Sequence, residues 1–159
     1  MSDPKRDLLR HAVATVAYRG GKALRDAPDR FATYRSIESS RSPVEILAHV
    51  GDLFDWALSL ARGAQQWRDS APLAWPDEVA RFFDALGKFD AWLESDAPLG
   101  TSAEQLLQGP VADALTHIGQ LTMLRRLAGA PVRGENYFTA DIVAGRTGAD
   151  QAPPAREFG

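Results

Sequence analysis

Apolar residues recur at helical spacing along four long stretches of this chain, and nowhere do they alternate with the period of a strand. That regularity confines the chain to helical architectures. The first stretch, residues 4–25, opens with Pro4 after Ser2-Asp3, where proline suits an initial helical position, and carries Leu9, Ala12, Val13, Val16 and Ala17 as one apolar stripe. Gly20-Gly21 is expected to weaken its second half. The second stretch has the strongest start signal. Ser42 stands as the cap, Pro43 follows at the first helical position, and Glu45 comes three residues after Ser42 in the capping-box arrangement. From there Leu47, Val50, Phe54, Leu58 and Ala61 keep helical spacing to about Gly63. In the third, residues 76–94, Val79, Phe82, Phe83, Leu86, Phe89 and Leu93 approximate a heptad seam.

Residues 101–107 read as one or two capped turns. The last long helix then opens at Pro110, carries Ala114, Leu115, Ile118, Leu121 and Leu124, and closes near Gly129 with Pro131 beyond. Residues 26–40 form a long connection, and the proline-containing segment 69–77 reads as a short link between neighbouring helices. The expected fold is all-α: a four-helix bundle over residues 1–129, with a short helix before the fourth long helix. An irregular C-terminal extension, residues 130–159, packs on the bundle or on a partner subunit. At 159 residues, 45% of them apolar, the chain suits a single core.

Composition excludes several classes. There is no cysteine, so disulfides, thiolate metal sites and cysteine nucleophiles are absent. The net charge of −3 is spread over mixed-sign segments without a basic stripe, which disfavours nucleic acid as a partner. No segment approaches the roughly 20 apolar residues of a membrane span, and the charged start lacks the apolar core of a signal peptide, so no membrane association and a cytoplasmic location are expected.

The residues that carry chemistry are two of the three histidines. His49 lies beside the apolar stripe of the second helix, and His117 follows Asp113 by four residues, which puts that pair on one face of the fourth helix, a turn apart. A second helix presenting His49 to that face assembles two imidazoles and a carboxylate, a donor set for a divalent ion with positions left open for water or substrate. Asp52, three residues after His49, is placed to orient its ring or to serve as another ligand, with a solvated helix charge as the plain alternative. Gln120, three after His117, is placed to support a ligand from behind or to bond a water or substrate, with a plain polar helix position as the alternative. Downstream, Arg133, Glu135 and Tyr137 belong to a segment that folds back over the site mouth or packs on a partner. Arg125-Arg126 complements the helix dipole or anchors an anion. His11 has no partner at ligand spacing.

The run Ser42-Pro43-Val44-Glu45-Ile46-Leu47-Ala48-His49-Val50, with His117-Ile118-Gly119-Gln120-Leu121 and Arg125-Arg126-Leu127-Ala128-Gly129, resembles the DinB/YfiT-like superfamily of metal-binding bundles. Its members typically carry one histidine on the second helix and two, four apart, on the fourth. The resemblance maps these positions to His49, Asp113 and His117, with Asp113 as the departure that hardens the site toward oxygen-favouring ions. It implies a divalent ion (nickel, zinc, manganese or iron) and a thiol-dependent transferase using a metal-activated thiolate, with a low-molecular-weight thiol as cosubstrate. Hydrolysis by metal-activated water is the close competitor. The reading from another class is a non-catalytic, degenerate-site module that binds partners or acts in stress. There Trp67, Trp75 or Trp92 forms a face that pairs two copies into a homodimer.

Overall fold

The computed structural model describes residues 3–159, so Ser2 lies outside the described residues. Helix α1 spans Pro4–Leu24, α2 Pro43–Ala61, α3 Trp75–Glu94, α4 Ala103–Leu106 and α5 Ala112–Leu127. The molecule is therefore mostly helical, as the apolar period predicts. The starts of α1 and α2 have a local cause. Asp3 accepts the Lys5 amide at 3.0 Å ahead of Pro4, and the backbone N–H of Ser42 donates to Glu45 at 2.7 Å ahead of Pro43.

Helix α1 packs on α3 and α5, and α2 packs on the same two from the opposite side. Gly20 meets Phe82 near one end of the α1–α3 contact and Arg10 binds Asp90 near the other, so these helices are antiparallel. His49 lies against α5 at Asp113 and His117 while Trp56 lies by Gly109, so α2 and α5 are antiparallel as well. Gly51 beside Arg81 and Arg62 over Trp92 make α2 and α3 parallel. The core between them is built from Val13, Val16, Phe54, Phe82, Phe89 and Leu121.

Parallel neighbours impose a long return. The 19 residues of α2 rise roughly 28 Å, a distance that residues 62–74 cover only as an extended strap along the bundle. The link expected to be short is thus a segment running beside α2. Its contacts step backward along that helix: Gln66 at Ser59, Trp67 at Trp56 and His49, Ser70 at Asp52.

Two glycine and proline expectations change. Gly20-Gly21 does not interrupt α1, and Gly20 lets α3 approach it, because a Cβ there would stand 2.6 Å from the Phe82 ring. Pro110 does not open a new helix. It lies in a π-type turn, Leu107–Val111, that joins α4 to α5. The wider turn accommodates a ring that would clash with the preceding turn of an α-helix and supplies no N–H.

The C-terminal extension packs on α1. Gly134–Glu135 pairs antiparallel with Glu157–Phe158, and Glu135, buried, accepts from the Tyr18 hydroxyl at 2.5 Å and Lys22 at 2.8 Å.

The Glu45 carboxylate ties the entry of α2 to Arg35 at 2.8 Å. The Arg35 guanidinium and the Ser42 amide hold its pKa at about 2, against a usual 4.5. A lowered folded pKa contributes stability that is complete above pH 4.5 and lost as pH falls toward 2. The side chain is partly exposed, so solvent screening limits the effect. Glu45→Ala is expected to cost about 1 kcal/mol at pH 7 in equilibrium denaturation, with the gap from the native chain closing through that window.

Candidate metal centre

His49 sits in the second turn of α2, and Asp113 and His117 sit one turn apart on α5. Because α2 and α5 are antiparallel neighbours, the three side chains converge. His49 Nε2 is 3.7 Å from Asp113 Oδ2, and His117 Nε2 is 3.4 Å from Asp113 Oδ1. The imidazoles meet edge to face with centroids 4.7 Å apart. One donor atom from each residue lies within 4.8 Å of the others.

That spacing fits a small divalent ion. At metal–nitrogen distances near 2.1 Å, tetrahedral ligand atoms are roughly 3.4 Å apart. The side chains need only close slightly around an ion, and three protein ligands leave its coordination incomplete.

The same geometry without a metal is an ion pair between Asp113 and a protonated histidine. The ion pair needs a charged imidazole, and the surroundings of His49 disfavour one. Burial, then His117, then Arg41 lower its pKa, outweighing the opposing pull of Asp113. A neutral imidazole has the free lone pair that a metal ligand needs.

Gln120 bonds the other face of His117. Its carbonyl oxygen is 3.0 Å from Nδ1, within hydrogen-bond reach, and Nε2 is the ring nitrogen directed at Asp113. Of the two places the sequence offered for Gln120, behind a ligand or toward water or substrate, its contact is the one behind His117.

Asp52 and Tyr137 are used elsewhere. Asp52 accepts Arg81 at 2.5 Å, the Ser70 hydroxyl at 2.6 Å and the Ser70 amide at 2.9 Å. Arg81 also reaches Asp55 at 2.9 Å, Glu78 at 3.1 Å and the Ala48 carbonyl at 3.2 Å. Glu78 in turn accepts the Leu73 amide at 2.8 Å. This buried network fastens the strap to α2 and α3. Tyr137 packs edge-on against Tyr18 with Arg19 over its ring. Glu135 and Arg133 belong to that same side of the molecule, with Arg133 on Glu157. Arg125 is buried and donates to the Ala23 and Arg25 carbonyls that α1 leaves open, a structural role, and His11 is exposed.

Two residues at the site were not singled out for it. Trp67, carried in by the strap, stacks its edge on His49 at 5.7 Å and on Trp56 at 5.8 Å, and its indole N–H donates to Asp69. Trp75 and Trp92, grouped with it as a pairing face, pack against the core. Arg41 precedes the α2 cap and lines two clefts. One, of about 340 Å³, is bordered by His49, Asp69 and Ser70, and the other, of about 470 Å³, by His117, Gln120 and Leu127.

Among the described residues no helix is long and apolar enough to cross a membrane. Comparison of the chain with family models, with curated proteins and with solved structures finds no match.

Proposed function

We propose that this chain is a divalent-metal-dependent enzyme of the DinB/YfiT-like kind, a thiol-dependent transferase in the first instance and a hydrolase in the second. The observation that carries the reading is the convergence of His49, Asp113 and His117 from two antiparallel helices, with donor atoms within 4.8 Å, beside two open clefts. A bound ion supplies Lewis acidity, lowering the pKa of a thiol or water that reaches it. The chain's own groups prepare that step. Burial disfavours the charged form of His49, Gln120 bonds the outer ring nitrogen of His117, and Trp67 covers one side of His49. The Asp113 carboxylate, 47% exposed, contributes negative charge on the solvent side and favours harder ions than a third histidine would.

Cobalt substitution tests the open-position reading. Adding 2-mercaptoethanol to the cobalt-loaded protein is expected to produce a near-ultraviolet thiolate-to-cobalt charge-transfer band, absent in His49→Ala. A cobalt spectrum unmoved by thiol contradicts the transferase reading and favours hydrolysis.

A further inference from the structure

The two clefts beside the metal ligands differ in charge. The smaller is bordered by Glu45, Asp52 and Asp69 as well as by Arg35 and Arg41, so its lining carries both signs of charge, with Glu45 already paired to Arg35 and Asp52 to Arg81. The larger has no carboxylate in its lining. Its floor is Ile46, Met123, Leu124 and Leu127, and two of these are unusually open for apolar side chains, Met123 at 52% and Leu127 at 55% exposure. His117 and Gln120 stand at its inner end and Arg41 on its rim.

Arg41 is uncommitted. Nearby Arg35 is engaged by Glu45 and by the Ser40 carbonyl, whereas among the described residues no hydrogen bond or ion pair engages the Arg41 guanidinium. The Ser40 hydroxyl proton is given to the Ile37 carbonyl, and Ser36 donates to Ser40, so the free donors of this cleft are Arg41 and the Gln120 amide. One uncommitted cation matches a single negative charge.

We infer that the larger cleft binds a small monocarboxylate with an apolar body, its carboxylate on Arg41 and its hydrocarbon part over Ile46, Met123, Leu124 and Leu127. This deepens the metal-enzyme reading, on which it rests for placing the reacting end of the substrate at His117. The contact with Arg41 itself needs no ion. A planar carboxylate takes two parallel bonds from one guanidinium, and a cleft of about 470 Å³ is within the range of small-ligand sites.

The test is calorimetric titration with 3-phenylpropionate and its neutral counterpart 3-phenylpropanamide, on zinc-loaded and metal-free protein, with zinc content measured separately. The native chain is expected to prefer the acid about tenfold, the worth of one charge-assisted contact. Arg41→Gln is expected to erase the preference with zinc content unchanged, and Met123→Glu, on an exposed position, to weaken the acid by a similar factor. A preference that survives in Arg41→Gln puts the carboxylate on the zinc and overturns the proposal, as does failure of the native chain to bind the acid. Failure to load zinc with an Arg41-dependent preference intact counts against the metal reading alone and supports the cleft assignment.

Discussion

Arg81→Met is expected to lower the free energy of unfolding by about 3–5 kcal/mol, the cost of stranding buried charge. Among the described residues the guanidinium is the sole cation paired with two carboxylates whose side chains are 4% and 0% exposed, Asp52 and Glu78. Burial opposes its charge, yet the hydrogen bonds to Asp52 and Asp55 outweigh burial and raise its pKa. Room for it comes from Gly51, where a Cβ would stand 2.9 Å from the guanidinium carbon. Without Arg81, Asp52 keeps only Ser70, and Glu78 only the Leu73 amide. The strap should therefore loosen before the bundle melts. Equilibrium denaturation reads the loss, and amide exchange at Ser70 and Leu73 reads the loosening. Unchanged stability together with unchanged exchange at both amides would show that the network does not fasten the strap.

Lys22→Met carries a penalty of similar size at the opposite side of the bundle. Lys22 is buried and donates to Glu135 at 2.8 Å and Glu157 at 2.9 Å; burial disfavours its charge, but these two bonds prevail and its pKa is raised. Removing it leaves the Glu135 carboxylate, 0% exposed, with Tyr18 alone. The loss expected is about 3–5 kcal/mol, with residues 130–159 becoming sensitive to protease. Lys22→Met combined with Glu135→Leu is expected to recover most of it, because the buried charge goes with its partner. A double variant as unstable as the single would mean that packing of the lysine stem, and not the stranded carboxylate, sets the cost.

These two networks also mark where sequence reading stops. Helix starts were legible because their causes are local: Pro4 after Asp3, and Ser42-Pro43 with Glu45 one turn on. The site was legible for a related reason. A spacing of four aligns Asp113 with His117 on any helix, and only the meeting with His49 needed a tertiary assumption. Asp52 was misplaced because its partner Arg81 lies on another helix, and an i+3 relation to His49 says nothing of which neighbour that flank meets. Trp67 was missed because helix direction is not written in local periodicity. Once α2 and α3 run parallel, residues 62–74 must return along the bundle, and the aromatic in that segment lands on His49. The sole advance signal was a tryptophan in a stretch without helical period. Pro110 was read as a start because proline at a helix opening is the commoner case; a π turn inside a continuous helix leaves no distinct local pattern.

The central claim is that His49, Asp113 and His117 hold one divalent ion. Elemental mass spectrometry after reconstitution with zinc, manganese, nickel or iron and gel filtration tests it most directly, run on the native chain and on His117→Ala. The account predicts close to one ion per chain for the native protein and a loss to background in His117→Ala, with the helical circular dichroism of the two proteins alike. An empty native protein after every reconstitution, or an ion retained in full by His117→Ala, would contradict it.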